Sequence, residues 1–139
     1  MKKNKPVSEI MTRELICLEL ADTLTRAEAL FKKNRIGHLP VLKEGNVVGI
    51  LSLHDLLRIA TADSVGENEE EIETTVYDMF TIEQVMTKKV VCVNPETPIS
   101  EVAGLFLRHS FHSLPVVEEY QLVGIVTTTD VIRFFLEHD

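Results

Sequence analysis

Residues 38–55, HLPVLKEGNVVGILSLHD, return 75 positions later as residues 113–130, SLPVVEEYQLVGIVTTTD. The shift stays constant on the N-terminal side. Met11-Thr12 aligns with Met86-Thr87, Cys17 with Cys92, and Leu30-Phe31 with Leu105-Phe106. Val7 to Ala60 and Ile82 to Phe135 thus form two copies without a gap. A duplication decides the architecture before any single element does. Two copies are too few for a solenoid, so they read as a pseudo-twofold pair: 1–62 as the first copy, 63–81 as a connector and 82–139 as the second.

Each copy holds about 55 residues, too few to bury a comfortable core alone, so one core shared by both is expected. In both copies a branched apolar run (Leu15-Ile16-Cys17-Leu18; Val90-Val91-Cys92-Val93) reads as a buried strand. Thr97 as N-cap with Pro98 at the first helical position, and Asp22 in the matching place, then predict helix starts. Apolar stripes at helical spacing follow, Leu24, Ala27, Leu30 and Phe31 in one copy, Ile99, Val102, Leu105 and Phe106 in the other. Strands are predicted over 38–42, 47–51, 113–117 and 122–126, joined as hairpins through Lys43-Glu44-Gly45-Asn46 and Glu118-Glu119-Tyr120-Gln121. Closing helices cover 53–60 and 128–137. The repeat reads β-α-β-β-α, an α/β (α+β) unit, with a joint core between two small sheets and helices outside.

Composition excludes several classes. The net charge of −8 is localised. Seven of the 22 acidic residues lie between Thr61 and Thr81, where there is no Lys or Arg, and outside that stretch 15 acidic residues face 14 basic ones. Such a stretch reads as a solvated linker; Tyr77, Met79 and Phe80 are candidates for anchoring its end. An acidic chain is a poor partner for a phosphate backbone, which demands clustered cations. No apolar run approaches a membrane span, and MKKNKPVSEI does not read as a signal peptide, so a cytoplasmic location is expected. Cys17 and Cys92, flanked by Ile, Leu and Val, read as buried small hydrophobes rather than a disulfide. His38, His54, His109, His112 and His138 show no metal-ligand spacing with Cys or carboxylates. A nucleophile with a neighbouring base, or a phosphate loop with Lys, is not found; an enzyme is not expected.

The one motif with chemistry is the junction of last strand and last helix, Gly124-Ile125-Val126-Thr127-Thr128-Thr129-Asp130 and Gly49-Ile50-Leu51-Ser52-Leu53-His54-Asp55. A hydroxyl followed three residues later by a carboxylate satisfies the first-turn N–H groups of a helix as a capping box. The same geometry attracts a phosphate to free N–H groups and presents a fixed carboxylate to the two hydroxyls of a ribose. The two readings are compatible.

The ordered set of Met-Thr, apolar strand, Asn-Pro-x-Thr, helix, Leu-Pro-Val and Gly-Ile-Val-Thr-x-x-Asp resembles a tandem pair of CBS (cystathionine β-synthase) domains, the Bateman module. The resemblance covers nearly the whole chain outside the connector. It implies a regulatory module that binds an adenosyl compound in clefts between the copies and commonly pairs into a homodimer. AMP is the leading ligand, with ADP, ATP or S-adenosylmethionine as the others. It further implies that Asp130 and Asp55 grip the ribose, and that Thr127 and Thr129, with Ser52 and His54 opposite, lie near ribose and phosphate. His112 and Ser113, with Gly37 and His38 as equivalents, would meet the phosphate. Thr87 and Thr12, with the backbone of Val91 and Ile16, would face the adenine.

At these positions the second copy offers His112, Ser113 and hydroxyls but no Arg; Lys88, Lys89 and Arg108 are near in sequence only. A cation-poor site suits one phosphate better than three. In the first copy Leu53-His54 replaces two Thr residues, making that site the weaker candidate. With no effector domain in the chain, regulation of an unknown protein partner in trans is expected. The alternative is a structural, dimerising module without a ligand.

Overall fold

A computed structural model describes residues 5–62 and 76–137 of the chain. Most of the acidic connector, 63–75, and His138 lie outside the described residues. The elements run β1 (Leu18–Glu19), α1 (Leu24–Asn34), β2 (His38–Lys43), β3 (Asn46–Ser52) and α2 (Leu53–Ala62). After the connector come the single turn α3 (Ile82–Val85), α4 (Ile99–Arg108), β4 (Ser113–Glu118), β5 (Gln121–Thr127) and α5 (Thr128–Glu137). The fold is mixed α+β, as the repeat pattern requires, and both hairpins and both closing helices sit where the sequence places them.

The two hairpins share one register. His38 pairs Ser52 and Val41 pairs Gly49, and then a bulge passes over Val48 before Leu42 meets Val47. Ser113 pairs Thr127 and Val116 pairs Gly124, with the same slip over Val123 before Leu122. Both loops have two residues at positive φ, Glu44 (52°) and Gly45 (83°), Glu119 (49°) and Tyr120 (68°). That is the turn which matches strand twist and favours Asn-Gly. The turn centre is therefore Glu44-Gly45, one residue earlier than the Gly45-Asn46 pair suggests. Tyr120 is almost fully exposed, so its ring gives nothing back for the left-handed backbone. Tyr120→Gly is expected to stabilise the protein by about 0.5–1 kcal/mol, measured by urea denaturation; a loss of stability would show that the ring does make a contact.

The first strands are much shorter than expected. Only Leu18–Glu19 forms a strand, parallel to β2; in the second copy Val93 makes a single parallel bridge to Val116. Leu18 and Val93 enter the interior, whereas Leu15 and Val91 are exposed. Cys17 is half-buried and Cys92 exposed, so neither is the buried hydrophobe its neighbours suggested: the chain dips into the interior at one residue of each run, not along four.

The expected caps are displaced by one position. Thr97 Oγ1 accepts from Asn94 N–H at 3.1 Å and Asp22 Oδ2 from Glu19 N–H at 2.8 Å, closing the turn ahead of each helix. The N-caps are Pro98, without a side-chain bond, and Thr23, whose hydroxyl accepts from Arg26 N–H at 3.1 Å. The shift is common to both copies, because the same three-residue spacing serves a turn as well as a helix start.

The buried residues form two clusters where one joint core was expected. One compact unit is Ile16–Val90; the other joins Met1–Leu15 to Val91–Asp139. Each unit therefore takes the hairpin and helices of one copy and the Met-Thr segment heading the other. In the first, Leu18, Leu24, Phe31, Leu39, Leu51 and Leu56 pack with Ile82 and Met86. The connector's end adds buried Tyr77, whose hydroxyl donates to Glu28 at 2.9 Å; Met79 and Phe80 are exposed. In the second, Val7 and Met11 pack with Ile99, Val102, Leu114, Val126 and Phe134. Backbone bonds stitch that segment in: Val7 N–H to Thr97 O at 2.8 Å, Ser8 N–H to Pro95 O at 3.0 Å, Ile99 N–H to Lys5 O at 2.8 Å.

Candidate functional site

In each unit the exchanged Met-Thr segment lies along the outer side of the second hairpin strand. Thr12 N–H donates to Ile125 O at 2.8 Å and Ile125 N–H to Thr12 O at 3.1 Å. Thr87 and Ile50 exchange the same pair, at 2.9 and 3.1 Å. This close approach requires glycine next door. A Cβ on Gly124 would stand 2.5 Å from Met11 Sδ and 3.1 Å from Thr12 O; one on Gly49 would meet Met86 Sδ and stand 2.8 Å from Thr87 O. In sequence Thr12 belongs to the first copy and Thr87 to the second; the fold crosses them. Thr12 sits two residues from Thr127 across the bridge, and Thr87 two residues from Ser52.

The strand-to-helix junctions are capped. Asp130 N–H donates to Thr127 Oγ1 at 3.2 Å, and Asp130 Oδ2 accepts from Thr127 N–H at 2.9 Å. In the other unit Asp55 N–H donates to Ser52 Oγ at 3.0 Å. Satisfying first-turn donors this way holds a carboxylate at the start of a helix, where the helix dipole favours a negative charge. Each junction is tied to the start of its hairpin: Thr128 N–H donates to His112 O at 3.1 Å and Leu53 N–H to Gly37 O at 2.9 Å. One unit so collects Thr12, His112, Ser113, Thr127 and Asp130; the other collects Thr87, Gly37, His38, Ser52 and Asp55. Ser113 is buried, His112, His54 and Thr129 are exposed, and nothing stands within 4 Å of a Cβ placed on Gly37. Val91 is exposed and Ile16 half-buried, each heading the run that enters its unit.

Two cations escaped the sequence reading. Arg133 Nη1 lies 3.7 Å from Asp130 Oδ1, and Arg58 Nη2 lies 3.2 Å from Asp55 Oδ1. Their identity at the common 75-residue shift was the signal that could have found them. Arg108 instead folds back along α4, its Nη1 3.0 Å from the Cβ position of Gly104, and Lys88 and Lys89 are exposed. Among the described residues no group of three His, Cys, Asp or Glu is placed to hold a metal ion, and no helix is long and apolar enough to cross a membrane.

Partial shielding from water pushes both thiols above the ordinary range, although Cys92 keeps an exposed flank; at Cys17 the Glu19 carboxylate adds to the effect. A raised pKa means less thiolate at a given pH. Alkylation by iodoacetamide at pH 7.5 is expected to be slower at both sites than in a free cysteine peptide and to keep climbing beyond pH 8.5, the ordinary thiol midpoint of about 8.5 being exceeded. Peptide mapping of the alkylated protein reads each site separately, and a rate at pH 7.5 above that of the peptide would contradict the burial argument.

A model of the CBS domain family matches residues 7–61 and 82–137. The uncharacterized protein MJ0188 of Methanocaldococcus jannaschii is 34% identical over 134 residues, covering 94% of this chain and 44% of its own length. The chain thus spans less than half of that relative. Among solved structures, the CBS domain pair of protein MJ0100, in complex with 5′-methylthioadenosine and S-adenosyl-L-methionine, superposes with a TM-score of 0.81 at 28% identity, covering 97% of this chain and 98% of that one. CBSX2 in complex with AMP gives a TM-score of 0.79 at 24% identity, over 97% and 99% of the two chains, a likeness of fold.

Proposed function

The chain belongs to the CBS domain family, two copies of which fill most of its length, and from that premise we propose that it is a regulatory module, not an enzyme, whose ligand is an adenosyl compound. AMP is the first choice, with ADP, ATP or S-adenosylmethionine as the others. The solved relatives carrying AMP or 5′-methylthioadenosine with S-adenosylmethionine support the ligand class. The observation that carries the reading onto this chain is the fixed Asp130 carboxylate, bonded to Thr127 and flanked by Thr12, His112 and Ser113. In this reading Asp130 takes the ribose diol, Thr127 and Thr129 the ribose and phosphate, His112 and Ser113 the phosphate, and Thr12 with the Val91 backbone the adenine. Asp55, Ser52, His54, Gly37, His38, Thr87 and Ile16 form the weaker second set. Working as a homodimer in the cytoplasm, the module biases a protein partner by no more than the ligand's difference in affinity between its arrangements.

Calorimetry with AMP, ADP, ATP and S-adenosylmethionine tests this. Binding of AMP tighter than ATP is expected. Asp130→Asn keeps an acceptor for Thr127 N–H but removes the charge, and should weaken binding by about 10-fold or more, the worth of a hydrogen bond to a charged group; Asp55→Asn should cost less. No heat from any of the four at millimolar concentration, with no rise in thermal midpoint, would leave a structural module instead.

A further inference from the structure

The ribose carboxylates are not idle. Asp130 Oδ2 is held by Thr127 N–H at 2.9 Å, which leaves Oδ1 for a ligand, and Oδ1 is where the Arg133 guanidinium rests, 3.7 Å away. Arg58 does the same at Asp55 Oδ1, at 3.2 Å. The carboxylates are well shielded, with 15% and 21% of their side chains exposed, while the arginines are 60% and 67% exposed. So the Asp130 carboxylate is held from the backbone, and in both pairs the cation is the partner that reaches into solvent. Both arginines stand one helical turn beyond the acid, on the same face.

On the adenosyl reading above, we infer that Arg133 and Arg58 select the ligand by charge. A ribose diol that donates to Oδ1 must take the place of the guanidinium. That displacement costs little, because an ion pair whose cation reaches into solvent is weak. It leaves an unpaired cation within a turn of the sugar. An adenosyl compound with an anion at its 5′ end supplies a new partner, in a charge-assisted contact stronger than the one given up. A neutral 5′ substituent supplies none, and a cationic one meets repulsion. The arginines thus hold the empty sites neutral and turn the sugar-binding acid into a test for a phosphate. Each site thus brings one cation that the motif positions alone do not supply, which matches a monophosphate.

The test compares AMP with 5′-methylthioadenosine, which has the same base and ribose diol but a neutral methylthio group at the 5′ carbon where AMP has its phosphate, by calorimetry on the full chain. The variants are Arg133→Met, Arg133→Lys, Arg58→Met and the Arg58→Met/Arg133→Met double. Arg133→Met should weaken AMP by about 10-fold, the worth of a charged contact. It should leave 5′-methylthioadenosine unchanged or up to about 5-fold tighter, since the competing ion pair is gone. Arg133→Lys should restore most of the AMP preference, and the double variant should abolish it. The preference in the parent chain should also shrink with added salt. If the parent binds both nucleosides and the double variant keeps the same ratio, charge selection is overturned while adenosyl binding stands. If the parent binds neither, both fall together.

Discussion

Gly49→Val is expected to lose about 2–4 kcal/mol of stability, a drop of about 5–15 °C in midpoint. The reasoning is steric. The Met86-Thr87 segment lies so close to β3 that even the first added carbon would be 2.8 Å from Thr87 O and in collision with Met86 Sδ. Met86 is buried among the core of its unit, and Thr87 O is held by Ile50 N–H. A side chain at 49 must therefore push out the segment, losing both Ile50–Thr87 hydrogen bonds and the burial of Met86. Gly124 is more forgiving. Its nearest would-be contacts are Met11 Sδ and Cγ, at 2.5 and 2.9 Å, with backbone further away at 3.1 Å. Gly124→Ala should cost less than Gly49→Ala, and Met11→Ala should partly relieve it, a coupling that a double-mutant cycle measures. A Gly49→Val protein as stable as its parent would mean that the exchanged segment does not sit on β3.

Phe31→Ala should cost about 3–5 kcal/mol, the range for deleting a fully buried aromatic ring. Phe31 is 2% exposed and packs in the cluster with Leu18, Leu39, Leu51 and Tyr77. The duplicate position, Phe106, gives the comparison. It is only partly buried, beside its cluster, edge-on to Phe111 at 6.1 Å between ring centres. Phe106→Ala should therefore cost clearly less, although the sequence sets the two phenylalanines in one alignment column. Urea denaturation of the pair decides it, and equal losses would show that the two units pack alike at this place.

The repeat made most of the fold readable. Repeated apolar stretches and the turn residues between them located four strands, and helical spacing located the closing helices to within two residues. The first strands were misread because Leu15-Ile16-Cys17-Leu18 and Val90-Val91-Cys92-Val93 carry branched apolar side chains for only one buried position apiece. Apolar character reports a preference for leaving water, not a hydrogen-bonded neighbour. The crossing of the Met-Thr segments was beyond sequence for a different reason. Met11 and Met86 are interchangeable in type, so nothing local says which glycine each will cover. At the site, the Thr-x-x-Asp spacing announced a capped junction, and its reciprocal bonds are present at Thr127 and Asp130. Arg58 and Arg133 are identical at the 75-residue shift, but exposed arginines on helices are common, and the distance to the acid is what gives this identity its meaning.

The crossing of the segments has a bearing on how such a chain can be cut. A fragment ending before residue 63 would keep Gly49 and its hairpin without Met86 and Thr87, and would carry Val7 and Met11 as an apolar tail with nowhere to go. The complementary fragment would have the reverse deficit. Neither piece is a minimal autonomous protein; each is the missing ingredient of the other, so a half-gene product would have to borrow from a second chain what the intact polypeptide provides for itself.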